Sequence, residues 1–97
     1  MYELRFKRPA EKYFKKLKDK SLIAIYRKAL TKISKDPYNA GEVKSGDLAG
    51  IYCYDIHYNK TNYEIAYQIF EKDGAFVVVI LAGTRENFYQ ELKRYMS

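Results

Sequence analysis

The feature that most constrains this chain is the apolar run Val77-Val78-Val79-Ile80-Leu81. A continuous run of this kind suits a central strand covered on both faces, since an exposed face would alternate with polar residues. Asp73-Gly74 just before it is a favoured hairpin turn. The preceding stretch, Tyr63 to Ile69, alternates: Tyr63, Ile65, Tyr67 and Ile69 share one face, and Glu64, Ala66 and Gln68 share the other. The two runs therefore pair as a hairpin, the second spanning Phe76 to Ala82. Directly beyond it, Gly83, Thr84 and Arg85 leave the strand end and open a helix that runs to Met96. An Arg at such a corner is held by a rigid strand yet projects at an edge, a sensible place for an anion-handling group.

The rest of the chain supplies the layers. Tyr2 to Lys7 alternates as a short strand. Pro9 then suits the first turn of a helix, where no amide donor is needed. Tyr13, Phe14 and Leu17 give this helix its apolar stripe. Ser21 is expected to cap a second helix, with Leu22, Ile25, Tyr26, Ala29, Leu30 and Ile33 as its stripe and Asp36-Pro37 as its stop. Few residues join the two helices, which should form an antiparallel hairpin. Tyr38 to Ala49 reads as irregular. Ile51 to Tyr58 alternates again, with Cys53, Asp55 and His57 opposite Tyr52, Tyr54, Ile56 and Tyr58. The order β-α-α-β-β-β-α over residues 1–97 predicts one α+β domain: a mainly antiparallel four-stranded sheet, a helical hairpin on one face and a C-terminal helix. The other face is expected to be an open surface carrying Cys53, Asp55, His57, Glu64 and Gln68.

Charge narrows the partners. The 97 residues carry a net +6 at pH 7, which favours polyanions such as nucleic acid, the ribosome or an acidic protein. Lys12, Lys15 and Lys16 on the first helix and Lys28 and Lys32 on the second form either a solvated face or a phosphate-attracting one. A single Cys permits no internal disulfide, which fits a reducing cytoplasm. No run reaches the length of a membrane span, and the N-terminus lacks the apolar core of a signal peptide. One His and one Cys make a poor ligand set, so no metal or cofactor is expected.

The segments Gly46-Asp47-Leu48-Ala49-Gly50-Ile51-Tyr52, Tyr63-Glu64-Ile65-Ala66-Tyr67 and Gly83-Thr84-Arg85 occur in order and at spacings that resemble the RelE/ParE toxin superfamily of bacterial type II toxin–antitoxin modules. The resemblance covers nearly the whole chain. It implies one of two activities. RelE-like members cleave mRNA in the ribosomal decoding site by attack of the 2′-hydroxyl on the adjacent phosphodiester, without a metal. ParE-like members share the fold but inhibit DNA gyrase. A third possibility is a binding module whose toxicity is lost. In each case the resemblance implies a cognate acidic antitoxin as partner, and for the nuclease also the ribosome and mRNA.

The resemblance places Arg85 on the scissile phosphate, where a planar guanidinium suits phosphate oxygens. The bland alternative is a surface Arg paired with Glu86 or Glu91. Tyr89 stands where family members carry a residue that stacks on a base or positions the phosphate; alternatively it belongs to the core. Where the RelE pattern has an Arg after the strand Tyr, this chain has Glu64. Where that pattern has lysines, it has Cys53 and Asp55. Asp55 or Glu64 would then be the base and His57 the acid, or these side chains would simply pair with one another. Lys44, ahead of the second strand of the meander, would contact the RNA backbone or stay solvated. Cys53 reads as a small filler.

Overall fold

A computed structural model describes all 97 residues. The elements are β1 (Glu3–Phe6), α1 (Arg8–Lys16), α2 (Lys20–Lys35), α3 (Pro37–Ala40), β2 (Glu42–Val43), β3 (Tyr52–Tyr58), β4 (Thr61–Phe70), β5 (Phe76–Thr84) and α4 (Phe88–Met96), with a 3-10 turn at Gly46–Leu48 between β2 and β3. The sheet order is β1-β5-β4-β3-β2, with β1 parallel to β5 and every other pair antiparallel. The α+β architecture with its helical hairpin is as expected. The sheet has five strands and not four, because Glu42 and Val43 pair with Cys53 and Tyr52. Two residues are too few to leave an alternation that a sequence can display.

Leu17, Lys18 and Asp19 link α1 to α2. Asp19, and not Ser21, caps α2: its carboxylate accepts the Leu22 N–H at 3.1 Å, which satisfies one of the free donors of the first turn. At the other end of the chain, β5 continues to Thr84 and α4 begins only at Phe88. Asn87 sits between them with φ 62°, a left-handed conformation that breaks strand and helix alike.

The sheet separates two cores. On the hairpin side, Leu22, Tyr26, Ala29 and Ile33 of α2 meet Ile56, Ile65, Tyr67, Val77 and Val79. On the opposite side, Phe88 and Leu92 of α4 lie with Leu48, Ile51, Cys53, Ala66, Ile80 and Leu81. The expected open polar surface is therefore largely covered. Burying Phe88 and Leu92 stabilises by about 1.5–3 kcal/mol for each side chain, which outweighs leaving that face in water.

A bulge sets the phase of β5. Ala66 pairs with Leu81 but Tyr67 pairs with Val79, so Ile80 is an extra residue. Ile80 and Leu81 consequently both enter the α4-side core, and Ala82 turns to the hairpin side. Every side chain beyond the bulge is shifted to the face it would otherwise not occupy. Without it, Arg85 would fall on the hairpin side.

Tyr67 fixes the approach to β3. It is fully buried; its hydroxyl donates to the Pro37 carbonyl at 2.7 Å and accepts the Gly41 N–H at 2.9 Å. A Cβ on Gly41 would lie 2.7 Å from that hydroxyl and 2.8 Å from the Cys53 carbonyl. Only glycine fits, and the loop it anchors delivers Lys44 to the α4 side.

Candidate functional site

Register brings the polar residues of three strands together. Asp55 pairs with Glu64, and Glu64 with Gly83. One row further, His57 pairs with Asn62, whose backbone carbonyl accepts the Arg85 N–H at 2.8 Å. Asp55, His57, Glu64 and Arg85 thus occupy adjoining rows at one end of the sheet, and Tyr89 comes over them from the first turn of α4.

Glu64 is the centre of this group. It is fully buried. Its Oε1 accepts the Tyr89 hydroxyl at 3.0 Å, and its Oε2 lies 3.1 Å from Arg85 Nε. That second contact is an ion pair and not an aligned hydrogen bond, since Oε2 has no hydrogen-bond partner. Burial raises the carboxyl pKa from 4.5 to about 6. The neighbouring Asp55 carboxyl pushes the same way, while Tyr89 and Arg85 pull it down. Arg85 is 56 % exposed at its side chain, and its ion pair with Glu64 is made through Nε. Its two terminal amino groups are left without a protein partner. The structure thus pairs Arg85 with Glu64, and with neither Glu86 nor Glu91.

Tyr89 is half-buried, which answers both readings of it: the ring edges onto Phe88 and the hydroxyl is committed to Glu64. Burial and that bond push its pKa up. Lys44 Nζ stands 5.5 Å from the centre of the Tyr89 ring, on the side where Ser45, Gly46, Asp47 and Lys93 line a shallow cleft. In the sequence Lys93 reads only as a last-turn cation that suits the helix dipole, and not as part of a site. Its spacing of one helical turn from Tyr89 was the available signal. Cys53 is buried, and burial with the Glu64 charge pushes its thiol up to about 11. That is the setting of an inert filler.

Other expected residues lie elsewhere. His57 is exposed, and its Nδ1 is 2.8 Å from Asn62 Oδ1, so neither Asp55 nor Glu64 is its partner. Gln68 is half-exposed, away from the cluster. Lys12, Lys15 and Lys16 are exposed on the hairpin, across the sheet from Arg85. Lys28 and Lys32, also on the hairpin, come round to a cleft at the β3 edge that Asp55 and His57 share. No three His, Cys, Asp or Glu side chains come together as a metal ligand set, and no helix is long and apolar enough to cross a membrane.

Residues 4–93 match the family model described as ParE-like toxin of type II bacterial toxin–antitoxin system. No curated protein sequence matches the chain. Among solved structures, a chain of the RelBE2 toxin–antitoxin complex of Mycobacterium tuberculosis is 26% identical, with a TM-score of 0.70 over 87% of this chain and 98% of that one. The isolated RelE toxin of E. coli is 25% identical, with a TM-score of 0.65 over 98% and 99%. A chain of the intact E. coli RelBE toxin–antitoxin complex is 26% identical, with a TM-score of 0.63 over 86% and 95%.

Proposed function

Because the chain belongs to the ParE-like toxin family of type II bacterial toxin–antitoxin systems, and so is a toxin of RelE/ParE type, we propose that it cleaves mRNA on the ribosome without a metal. One observation carries this reading. Glu64 holds Arg85 through Nε, which leaves both terminal amino groups without a hydrogen-bond partner at the end of the sheet where the carboxylate of Asp55 is exposed.

In this reading the scissile phosphate sits on those amino groups, which offset the charge that develops on the phosphorus oxygens. Asp55 takes the proton of the attacking 2′-hydroxyl. The bond from phosphorus to the 5′-oxygen breaks, leaving a 2′,3′-cyclic phosphate, and the leaving oxygen takes a proton from His57. Nδ1 of His57 donates to Asn62, so the ring acts as the imidazolium and delivers the proton from Nε2. Glu64 is too deeply buried to touch the substrate and acts as a positioning residue for Arg85 and Tyr89. Lys44 and the exposed lysines at 12, 15, 16, 28 and 32 hold RNA by charge, with an affinity that falls as salt rises.

The partner that silences such a toxin is an acidic antitoxin. Two of the similar structures are toxin–antitoxin complexes, and the net +6 of this chain would steer an acidic protein to it.

The test is induced expression with mapping of transcript 5′ ends, for the wild type and Arg85→Ala. Growth arrest with cuts inside codons is expected, reduced by on the order of a hundredfold or more in Arg85→Ala. Cuts that persist in Arg85→Ala would refute the site. A second reading is inhibition of DNA gyrase without nuclease activity. It is favoured by Cys53, Asp55 and Glu64 standing where the RelE pattern has cations. Growth arrest without mapped cuts, with supercoiling blocked by the purified protein, would establish it. A chain harmless when expressed alone would point to a module that only binds its antitoxin.

A further inference from the structure

α4 covers its face of the sheet at one end only. Ile80 of β5 lies in the α4-side core, and Val78 packs at the margin of that core. From Val78 outward, the register sets two bare rows on the same face. Glu3, Phe76 and Phe70 are paired across β1, β5 and β4, and so are Arg5, Val78 and Gln68. All six are partly or fully exposed. Phe70 stands six positions beyond Glu64 on β4, about 20 Å away at ~3.3 Å per residue. These rows are thus separate from the Arg85 group.

The rings on these rows form a ladder. The Arg5 guanidinium lies 3.8 Å from the centre of the Phe76 ring. Phe76 stacks on Phe70, with centroids 5.2 Å apart and planes inclined by 18°. β3 pairs with β4 only as far as Tyr67, so no strand flanks Phe70 on its other side, and Phe70 is 40% exposed. A lone exposed Phe is ordinary on a protein surface, but a stacked pair backed by a guanidinium is not lone. Lys7, Gln68 and Val78 join the ladder around a depression of about 420 Å³ whose lining holds two cations and no carboxylate. No ion pair engages Lys7. Glu3, outside the depression, holds Arg5 through Nε at 3.1 Å.

We propose that this end of the sheet is a second contact for single-stranded RNA, in which an unpaired base stacks on Phe70 and the strand crosses the depression with its phosphates toward Arg5 and Lys7. Gln68, between them, offers its amide to a base edge. Apolar surface alone would suit many occupants. Cations beside a stacked ring, with no carboxylate in the depression, suit a polyanion that also carries flat rings. Stacking of this kind tolerates any base, because every base has a π-face, and the phosphate contacts make it sensitive to salt. A duplex keeps its bases stacked on one another and has none to give. The choice of RNA over DNA rests on the nuclease reading; the stacking itself does not.

The experiment adds a single-stranded 2′-O-methyl RNA of about six nucleotides to the whole chain and follows the ring-proton resonances of Phe70 and Phe76. This oligonucleotide lacks the attacking 2′-hydroxyl and cannot be cut, so failure here is separate from failure of the nuclease reading. Saturable upfield shifts of both rings are expected. Phe70→Leu keeps an apolar side chain without the ring and should weaken binding, read at Phe76, by about 5- to 150-fold. Glu3→Gln leaves both rings in place, releases Arg5 and should tighten binding severalfold, which tests the site independently of Phe70→Leu. Absence of shifts at Phe70 and Phe76, or shifts at Tyr89 alone, overturns the proposal. So does binding that neither variant changes. An equal response to blunt duplex RNA or to inorganic polyphosphate would mean charge without stacking. Binding about tenfold tighter to DNA of the same sequence would assign the surface to DNA, and shifts that grow with protein concentration alone would assign it to a second copy. Each of these results also overturns it.

Discussion

Replacing Glu64 with Gln tests the physical account of the cluster without any assumption about substrate. The carboxyl is fully buried, and its pKa is raised from 4.5 to about 6 by burial and then by Asp55. A raised carboxyl pKa means that the folded state holds the proton more tightly than the unfolded state. Its stabilising contribution is present in full below the unfolded value and is lost as pH rises through about 6. The upper limit of that loss follows from the shift, at about 1.4 kcal/mol for each pKa unit. Asp55 opens the cluster to solvent on one side and reduces the loss to about 1–2 kcal/mol. Gln keeps the shape of the side chain and does not titrate. Urea unfolding of both proteins, from below pH 4.5 to above pH 6, should show Glu64→Gln gaining about 1–2 kcal/mol relative to the wild type as pH rises. Taking the difference between variants removes the titration of the other carboxylates. A flat difference would mean that Glu64 titrates as in water. A difference of opposite sign would mean that Arg85 outweighs burial, and either result refutes the reasoning.

Other perturbations address the scaffold. Tyr67→Phe leaves the buried Pro37 carbonyl and Gly41 N–H without their shared partner and should cost about 1–3 kcal/mol in urea unfolding. Asp19→Ala removes the α2 cap and the acceptor of the Tyr58 hydroxyl; a loss of about 0.5–2 kcal/mol is expected in the same assay. The Cys53 thiol, buried and pushed up to about 11, should resist a thiol reagent at neutral pH until the protein is unfolded. Rapid labelling of the folded protein would contradict its burial.

Local pattern made much of the fold legible. Strict alternation announced β3 and β4, and the Asp73-Gly74 turn announced their neighbour β5. Leu22 to Ile33 announced α2 through its stripe. The errors fall where a tertiary contact overrides local preference. Asp19 caps α2 in place of Ser21 because it also receives the Tyr58 hydroxyl from β3. Glu42 and Val43 become a strand because Tyr67 holds the preceding glycine against Cys53. The neighbours of Cys53 and Glu64 on the same face are polar or small, which is the pattern of a surface. Nothing within their own strands indicates that Phe88 and Leu92 will cover them.

By itself the sequence determined the element types, their order and which residues share a face, since these follow from periods of two and 3.6 residues within single segments. It also carried the family resemblance, through short motifs whose order survives without any contact being known. The tertiary structure alone decided which face α4 covers, where the β5 bulge shifts the phase, and what Arg85 touches. The partner that matters most to Arg85 is Glu64 on the adjacent strand, and the hydroxyl that completes the group comes from Tyr89, 25 positions beyond Glu64. Such contacts are set by strand register and by one extra residue in a ladder. A carboxylate in water and a carboxylate sealed beside a guanidinium are the same letter in the chain, and burial, with Asp55 beside it, gives the second its raised pKa.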